Sequence, residues 1–465
     1  MHNLAGSWGH ASWSLGHLHW YGVAVGSLLA IKLLLSVRRR RRPDLMFEEP
    51  AGRLRIHGVV TAYNEAPEML RRCLESILAQ TLPPHSLTVV DDCSANHTAG
   101  ALIEEMRPLF QRAGVRLDFI RFPANRGKRH GLAAGFRQEP RADAYLCVDS
   151  DTVLDRHAVA ELAEPFSKRR VHCVTGLVLA HNRGINLLTR LIDMRYVNAF
   201  LGERVAYSRL GSVLCACGSL ALYRGWVVRK YLDDFLDQRF LGRPATFGDD
   251  RRLTYYCLTE GLSLIQPSAV GYTDVPERLG HYVRQQIRWG KSFIREGFLL
   301  FGKFRVRRMY WWLNLVELVS WVAFTTALFA ALVAIFMHPQ GWTLLVGYLA
   351  YMCVMAWIRS VHYLRGAAQV GIVDRVLTFL AAPLYALLNL GLLLPLRLWS
   401  LATLRSTNWG TRAKIEVGGV GADAPDMTAP APAAQIAFPE QRTKDGQDAW
   451  AGASPEDRFA PGGAS

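Results

Sequence analysis

The sequence predicts an α/β domain with a mostly parallel sheet, set between membrane helices. Three observations predict it. Short apolar, β-branched runs alternate with helix-period segments between residues 53 and 304. Long apolar runs of ~20 residues or more flank that block on both sides. The acidic residues gather where the short runs end, and the carboxyl ends of parallel strands are where such sheets bind ligands.

The first element, within residues 1–42, is an apolar stretch at 20–37 closed by an arginine run at 38–42. Basic residues that follow the apolar stretch, rather than precede it, argue against a signal peptide and for a membrane helix whose C-terminal end is cytoplasmic. The chain of 465 residues carries 54 Lys and Arg and a net charge of +15. That excess suits nucleic acid, an anionic membrane face or phosphorylated substrates. Its placement at the membrane edge, without zinc spacing or a single-strand-binding signature, points to membrane lipids and phosphorylated substrates and away from nucleic acid. Of the eight cysteines, seven fall in the block assigned to the cytoplasm and none forms a Cys-x-x-Cys pair, so reduced thiols are expected.

Within residues 53–304, strands are expected at 57–61, 87–90, 117–121 and 145–148, with a helix through Met69, Leu70, Leu74, Ile77 and Leu78 between the first two. The first strand runs into Tyr63-Asn64-Glu65 and the second into Asp91-Asp92-Cys93-Ser94. Acids at neighbouring strand ends accept hydrogen bonds from a nucleoside. Asp and Asn serve equally as helix caps, worth about 1 kcal/mol over Ala. The turn Asn125-Arg126-Gly127-Lys128-Arg129 is basic and suits a diphosphate.

The strand at 145–148 ends in Asp149-Ser150-Asp151, whose paired carboxylates suit Mg2+ or Mn2+ bound jointly with substrate phosphates, or a helix cap. Farther on, Gly248-Asp249-Asp250-Arg251 precedes a helix-like 253–258, and Asp250 is placed to take a proton from an acceptor hydroxyl. With a metal holding a leaving diphosphate on the opposite side, the displacement is in line and inverts the carbon attacked. Gly218-Ser219-Leu220 and Tyr223-Arg224, with Cys215 and Cys217 before them, form either an acceptor wall or a plain buried loop.

Gln285-Gln286-Ile287-Arg288-Trp289 falls in a stretch of interfacial helices near 281–300, just before the next apolar run. It is either a membrane anchor or a collar that holds a charged ligand at the bilayer. The region 311–412 holds apolar runs at 311–337 and 342–364, joined by His338-Pro339-Gln340-Gly341, and a third at 376–404 that contains Pro383 and Pro395. This third run either spans or lies along the interface. Residues 417–465, rich in Ala, Pro, Gly and Asp, are expected to be disordered.

In this order, over residues 57–300, the motifs resemble processive family 2 glycosyltransferases, and among them class I hyaluronan synthases. The resemblance is carried by Asp149-Ser150-Asp151-Thr152, Asn186-Leu187-Leu188-Thr189-Arg190-Leu191, Phe240-Leu241-Gly242-Arg243-Pro244, Gly248-Asp249-Asp250-Arg251, Thr273-Asp274-Val275-Pro276 and the stretch 285–296. Trp409-Gly410-Thr411-Arg412 is similar to the family's gating loop. The resemblance implies a GT-A catalytic domain in a multi-pass protein of the plasma membrane, with that domain cytoplasmic. It implies UDP-GlcNAc and UDP-GlcA as donors, Mg2+ or Mn2+ as cofactor, and extrusion of the nascent polysaccharide.

The roles it implies are nucleotide binding at Tyr63, Glu65, Asp92, Lys128, Asp149, Trp409, Thr411 and Arg412, and metal binding at Asp151 with Asp149. Catalysis is implied at Asp250 and Asp249, with Gln285, Arg288 and Trp289 at the channel entrance. A cytoplasmic gating loop makes 376–404 interfacial. Two departures stand out. Cys217-Gly218-Ser219-Leu220 replaces a Ser-Gly-Pro sequence, and the helices are fewer than usual, as in rhizobial chitooligosaccharide synthases, although those usually carry Glu where this chain has Asp249. A synthase using UDP-GlcNAc alone, or a non-catalytic scaffold, are the competing readings.

Overall fold

The structure is a computed structural model that describes residues 23, 26–37, 54–95, 97–245, 247–303, 306–337, 341–367 and 369–405. The arginine run, the stretch 409–412 with Trp409, Thr411 and Arg412, and the tail all lie outside the described residues. A short apolar helix, α1 (Gly26–Val37), comes first.

The sheet begins with β1 (Ile56–Ala62), buried almost throughout. Helix α2 (Pro67–Leu78) opens on a proline, which needs no N–H partner in the first turn, and buries Leu70, Cys73, Leu74 and Ile77 on one face. Each of the leucines and the isoleucine adds about 1.5–3 kcal/mol of burial. Then follow β2 (Ser86–Asp91), α3 (Thr98–Arg112), β3 (Arg116–Arg121), α4 (Lys128–Gln138) and β4 (Ala144–Asp149). All four strands are parallel, in the order β3-β2-β1-β4, with Thr61 opposite Asp149, Ala62 opposite Asp91 and Asp91 opposite Arg121. They therefore stop level with one another and present their carboxyl ends along one edge.

The second half holds β5 (Thr152–Leu154), α5 (Ala158–Phe166), β6 (Val171–Ala180), α6 (Leu187–Val197), a π-helix at Asn198–Arg204 and α7 (Val205–Arg209). These lead to β7 (Ala221–Arg224), α8 (Gly225–Lys230), α9 (Leu232–Leu236), the small hairpin β8 (Arg239–Phe240) and β9 (Arg243–Pro244), α10 (Asp249–Glu260) and β10 (Leu262–Thr273). The eight strands of the main sheet run β3-β2-β1-β4-β7-β6-β10-β5. Strand β7 is antiparallel to both its neighbours, and β10 is parallel to β6 but antiparallel to β5, so the sheet is mixed.

Beyond the sheet lie α11 (Leu279–Lys303), α12 (Met309–Met337), α13 (Gly341–Gly366), α14 (Ile372–Leu380), α15 (Ala382–Leu388), a π-turn at Asn389–Leu393 and α16 (Leu394–Ala402). The region near 281–300 is thus one unbroken helix of 25 residues, not several. Helices α12 and α13, of 29 and 26 residues, coincide with the first two apolar runs. Among the described residues one stretch, Ala382–Ala402, is long and apolar enough by composition to cross a membrane. Pro383 starts α15 after a break at Ala381, while Pro395 is absorbed by the π-turn before it, which loosens the ladder that a proline cannot complete.

These helices are continuous with the core of the sheet domain. Tyr363, Ala367, Val370 and Ala382 are buried in the same cluster as the sheet's apolar residues. Buried Asp193 on α6 accepts from Tyr363 Oη at 3.0 Å, and Asp374 of α14 binds Arg183 at 2.6 Å and Arg190 at 2.9 Å.

Candidate active site

At the end of β2 the two aspartates divide the work. Asp91, fully buried, accepts from Ser94 and pairs with Arg121 at 2.6 Å. Asp92 accepts from the backbone N–H groups of Arg126 at 2.7 Å and Gly127 at 2.8 Å, just ahead of α4. Burial raises its pKa, and those two donors oppose the rise. Asp92 therefore ties β2 to the basic turn and acts as a cap on α4 from a distance. Asn64 closes the same corner: its N–H meets Ser94 Oγ at 2.8 Å and its Oδ1 accepts from Ala95 at 2.8 Å. Asn64 and Cys93 both hold left-handed backbone, at φ 50° and 64°. Tyr63 stands half-buried on the same strand end, and Glu65 accepts from Ser150 Oγ at 2.7 Å.

The turn that Asp92 fixes delivers Lys128 to Asp149. Lys128 Nζ is hydrogen-bonded to Asp149 Oδ1, and Ser219 Oγ donates to Oδ2 at 2.9 Å. Burial works against the ammonium, but the charge and hydrogen bond of Asp149, with Asp250 and Asp249 behind, hold its pKa above the ordinary lysine value. Gly218 locates the centre of the site. A Cβ there would lie 3.3 Å from Lys128 Nζ, 3.8 Å from Asp149 Oδ1 and 3.8 Å from Asp250 Cβ. Three groups that are far apart in sequence converge on a spot kept open by a missing side chain.

Asp249 and Asp250 sit inside the first turn of α10, not in a loop ahead of it, and acids are favoured there by the helix dipole. Asp249 faces inward, paired with buried Arg129 at 2.7 Å. Asp250 has its pKa raised by burial, against the opposing charges of Arg251 and Lys128. A carboxylate so shifted is a stronger base. The turn rests on α11 through Gly248, whose φ is 102°, and Arg252 beside it forms a buried pair with Glu296 of α11 at 2.5 Å.

Asp151 accepts from Thr273 Oγ1 of β10 at 3.2 Å, so it faces the second half of the sheet. One carboxylate together with substrate phosphate fits a hard divalent cation; Asp149 is hydrogen-bonded to Lys128 and Ser219. No cluster of three or more metal-ligating side chains occurs among the described residues. The loops after β6 and β10 are clamped by Asn182, which accepts from Val275 N and donates to Val275 O, both at 2.9 Å.

Trp289, 41% exposed, lies with its ring 6.3 Å from Tyr196 and 5.6 Å from the Arg195 guanidinium. Tyr196 is in turn held protonated mainly by burial, with Cys217 and Asp151 adding to the effect. The indole thus adjoins the carboxylate end of the site. On the same helix, Gln285 Oε1 and Gln286 Nε2 are buried without a hydrogen-bond partner among the described residues, and Arg288 is half-buried. Gly290 lets α16 cross closely: a Cβ would come 2.9 Å from Ser400 Oγ.

The sequence places Arg129 in the basic turn and Cys215 ahead of the possible acceptor wall, but does not show that Arg129 pairs with Asp249 or that Cys215 meets Asp250. Arg195 and Tyr196 carry no local signal. Tyr223 and Arg224 are strand residues rather than an acceptor wall. Tyr223 is buried in β7, and Arg224 donates to the carbonyls of Phe166 and Val171 at 2.7 Å.

Residues 55–292 match the family profile described as Glycosyltransferase like family 2. The chain is 37% identical to hyaluronan synthase of Streptococcus pyogenes over 409 residues, 85% of this chain and 91% of that protein. This chain is a hyaluronan synthase-like family 2 glycosyltransferase. The glycosyltransferase is also 35% identical to an N-acetylglucosaminyltransferase of Mesorhizobium japonicum, over 76% of this chain and 81% of the relative. Its fold matches a mannosyltransferase from Pyrobaculum calidifontis, solved with GDP-Man and Mn2+, at a TM-score of 0.50 and 18% identity. That match covers 80% of this chain and 98% of the other. The expected GT-A fold is borne out.

Proposed function

We propose that the enzyme is a membrane-embedded, inverting, processive transferase that polymerises UDP-GlcNAc and UDP-GlcA into a hyaluronan-type polysaccharide and extrudes it. The observation that carries this reading is the convergence of Lys128, Asp149 and Asp250 on Gly218. An ammonium beside the site neutralises a departing diphosphate, while a buried carboxylate opposite takes the proton from the acceptor hydroxyl. The acceptor oxygen then attacks C1 as the C1–oxygen bond to UDP breaks, which inverts the carbon.

A divalent cation, Mg2+ or Mn2+, would be held by Asp151, with Asp149 when Lys128 turns to the diphosphate, and would supply charge stabilisation to the leaving group. The similarity to a mannosyltransferase solved with Mn2+ supports a divalent metal. Asp92, Glu65 and Tyr63 frame the nucleoside end, and the resemblance assigns Trp409, Thr411 and Arg412, which lie outside the described residues, to a gating loop that binds the nucleotide.

Trp289, exposed next to Tyr196 and Arg195, forms the acceptor collar together with Gln285 and Arg288 of the same helix. The lengths of α12 and α13, about 43 and 39 Å at 1.5 Å per residue, exceed the ~30 Å hydrocarbon core and support a multi-pass arrangement. The arginine run at 38–42, after the first apolar stretch, supports a cytoplasmic catalytic domain.

The N-acetylglucosaminyltransferase relative favours a second reading, a chitooligosaccharide-type synthase using UDP-GlcNAc alone. Purified protein given radiolabelled UDP-GlcNAc, with and without UDP-GlcA, separates the two. Polymer only with both donors is expected; polymer from UDP-GlcNAc alone establishes the second reading instead.

A further inference from the structure

Both carboxylate oxygens of Asp250 have a donor. Oδ1 accepts from the Arg251 backbone N–H at 2.8 Å, and Oδ2 accepts from Cys215 Sγ at 3.5 Å, a thiol that also has Ala216 O at 3.6 Å. Cys215 lies in the loop between α7 and β7, and that loop is stapled to the turn of helix that bears Asp250. Thr254 Oγ1 accepts from Ala216 N at 2.9 Å and donates to Asp250 O at 2.6 Å. On either side, Arg204 Nε donates to Cys215 O at 3.0 Å and Cys217 N donates to Thr175 Oγ1 at 3.0 Å. The position of the thiol relative to the carboxylate is therefore set by four backbone and side-chain ties outside the thiol itself.

The thiol is a donor under ordinary conditions, because burial above all, with the Asp250 charge added, pushes its pKa up to about 12. Its distance suits sulfur: 3.5 Å is a normal S–H···O separation, whereas an O–H···O bond ends near ~3.0 Å.

We propose that Cys215 is a positioning residue for Asp250, orienting the carboxylate toward the acceptor hydroxyl through the Sγ–H···Oδ2 bond. The inference rests on the reading of Asp250 as the general base. Each carboxylate oxygen has two acceptor sites. The thiol and the Arg251 N–H fill one on each oxygen and fix the plane of the group, so the remaining sites keep a constant direction. Without the thiol, the Lys128 charge, which already acts on Asp250, draws the carboxylate out of that plane.

The test compares Cys215→Ala and Cys215→Ser with wild type, measuring kcat for polymer synthesis and KM for each UDP-sugar in the full-length purified enzyme, with Asp250→Asn alongside. In Cys215→Ala, kcat is expected to fall about tenfold, equivalent to ~1.4 kcal/mol, with donor KM unchanged. Cys215→Ser, with a donor of shorter reach, is expected to fall between the two. Wild-type kcat in Cys215→Ala overturns the inference. So does a Ser variant as poor as Ala, or a loss carried mainly in KM, because either marks a packing role. If Asp250→Asn still polymerises, the base assignment itself fails. If Asp250→Asn is inactive and Cys215→Ala is not impaired, only the role of Cys215 is lost.

Discussion

Gly248→Ala is expected to disable transfer without unfolding the protein. The glycine precedes the Asp249-Asp250 turn with φ at 102°, in the region where an L side chain costs ~1–2 kcal/mol. A Cβ would also meet Ser292 Oγ at 2.6 Å and both Ser292 Cβ and Glu296 Cγ at 3.4 Å. The clash is with the Ser292 hydroxyl, on a buried residue packed beside the Arg252–Glu296 pair, while Glu296 Cγ stays in ordinary contact. Together with the backbone strain it is expected to push the turn away from α11, taking both aspartates with it. A shift of ~1 Å at reacting groups is worth about a hundredfold in rate. Initial rates of polymer synthesis, with UDP affinity measured separately by calorimetry, are expected to show that loss in kcat while UDP still binds. Adding Ser292→Ala removes the 2.6 Å contact but leaves the backbone strain, so activity should return in part. A Gly248→Ala enzyme that polymerises at the wild-type rate refutes the claim that α11 sets the position of the catalytic turn.

Two further outcomes are expected. Trp289→Ala should abolish polymer formation and leave UDP binding largely intact; a variant defective only in membrane insertion restores the anchor interpretation of the indole. Stability should also fall in mild acid because of His57, which is buried beside Ser86 and α4 and has its pKa pushed down to about 4 chiefly by burial. The unfolded chain, with the ordinary value of 6.5, takes up the proton first, so the stability tied to the neutral ring is complete above pH ~6.5 and is drawn down toward pH ~4. Between pH 7 and pH 5 the loss is ~2 kcal/mol at 1.36 kcal/mol per pKa unit. Denaturant midpoints across that range should show it, and a His57→Gln variant with an unchanged slope would remove His57 as the cause.

The strand ends were readable because parallel strands buried on both faces leave short continuous apolar runs, and each of β1 to β4 was located within a residue or two of its observed limits. The chemistry at those ends was readable by residue type as well: Asp92, Lys128, Asp149, Asp151 and Asp250 all stand along one edge or in the helix turn above it. What stayed hidden depends on tertiary proximity. Nothing local marks Ser219 as the partner of Asp149, or Tyr196 as the neighbour of Trp289, because these contacts join segments 70 and about 90 residues apart. The placement of Asp249 and Asp250 within α10 was obscured for a different reason. Acids suit both a polar loop and the first turn of a helix, and the left-handed Gly248 before them is equally compatible with either.

The four-residue strand β7 has a consequence for how this sequence can change over time. The stretch leading into it reaches Asp250 through Cys215 and Asp149 through Ser219, while its own pairing with β4 and β6 fixes where it ends. Away from Cys215, Gly218 and Ser219, which meet the site directly, residue identities in 211–220 can drift. The number of residues cannot, since one inserted or deleted position would put the two anchoring side chains out of step with both carboxylates at once. The loop is therefore open to substitution at its other positions and closed to changes in its length.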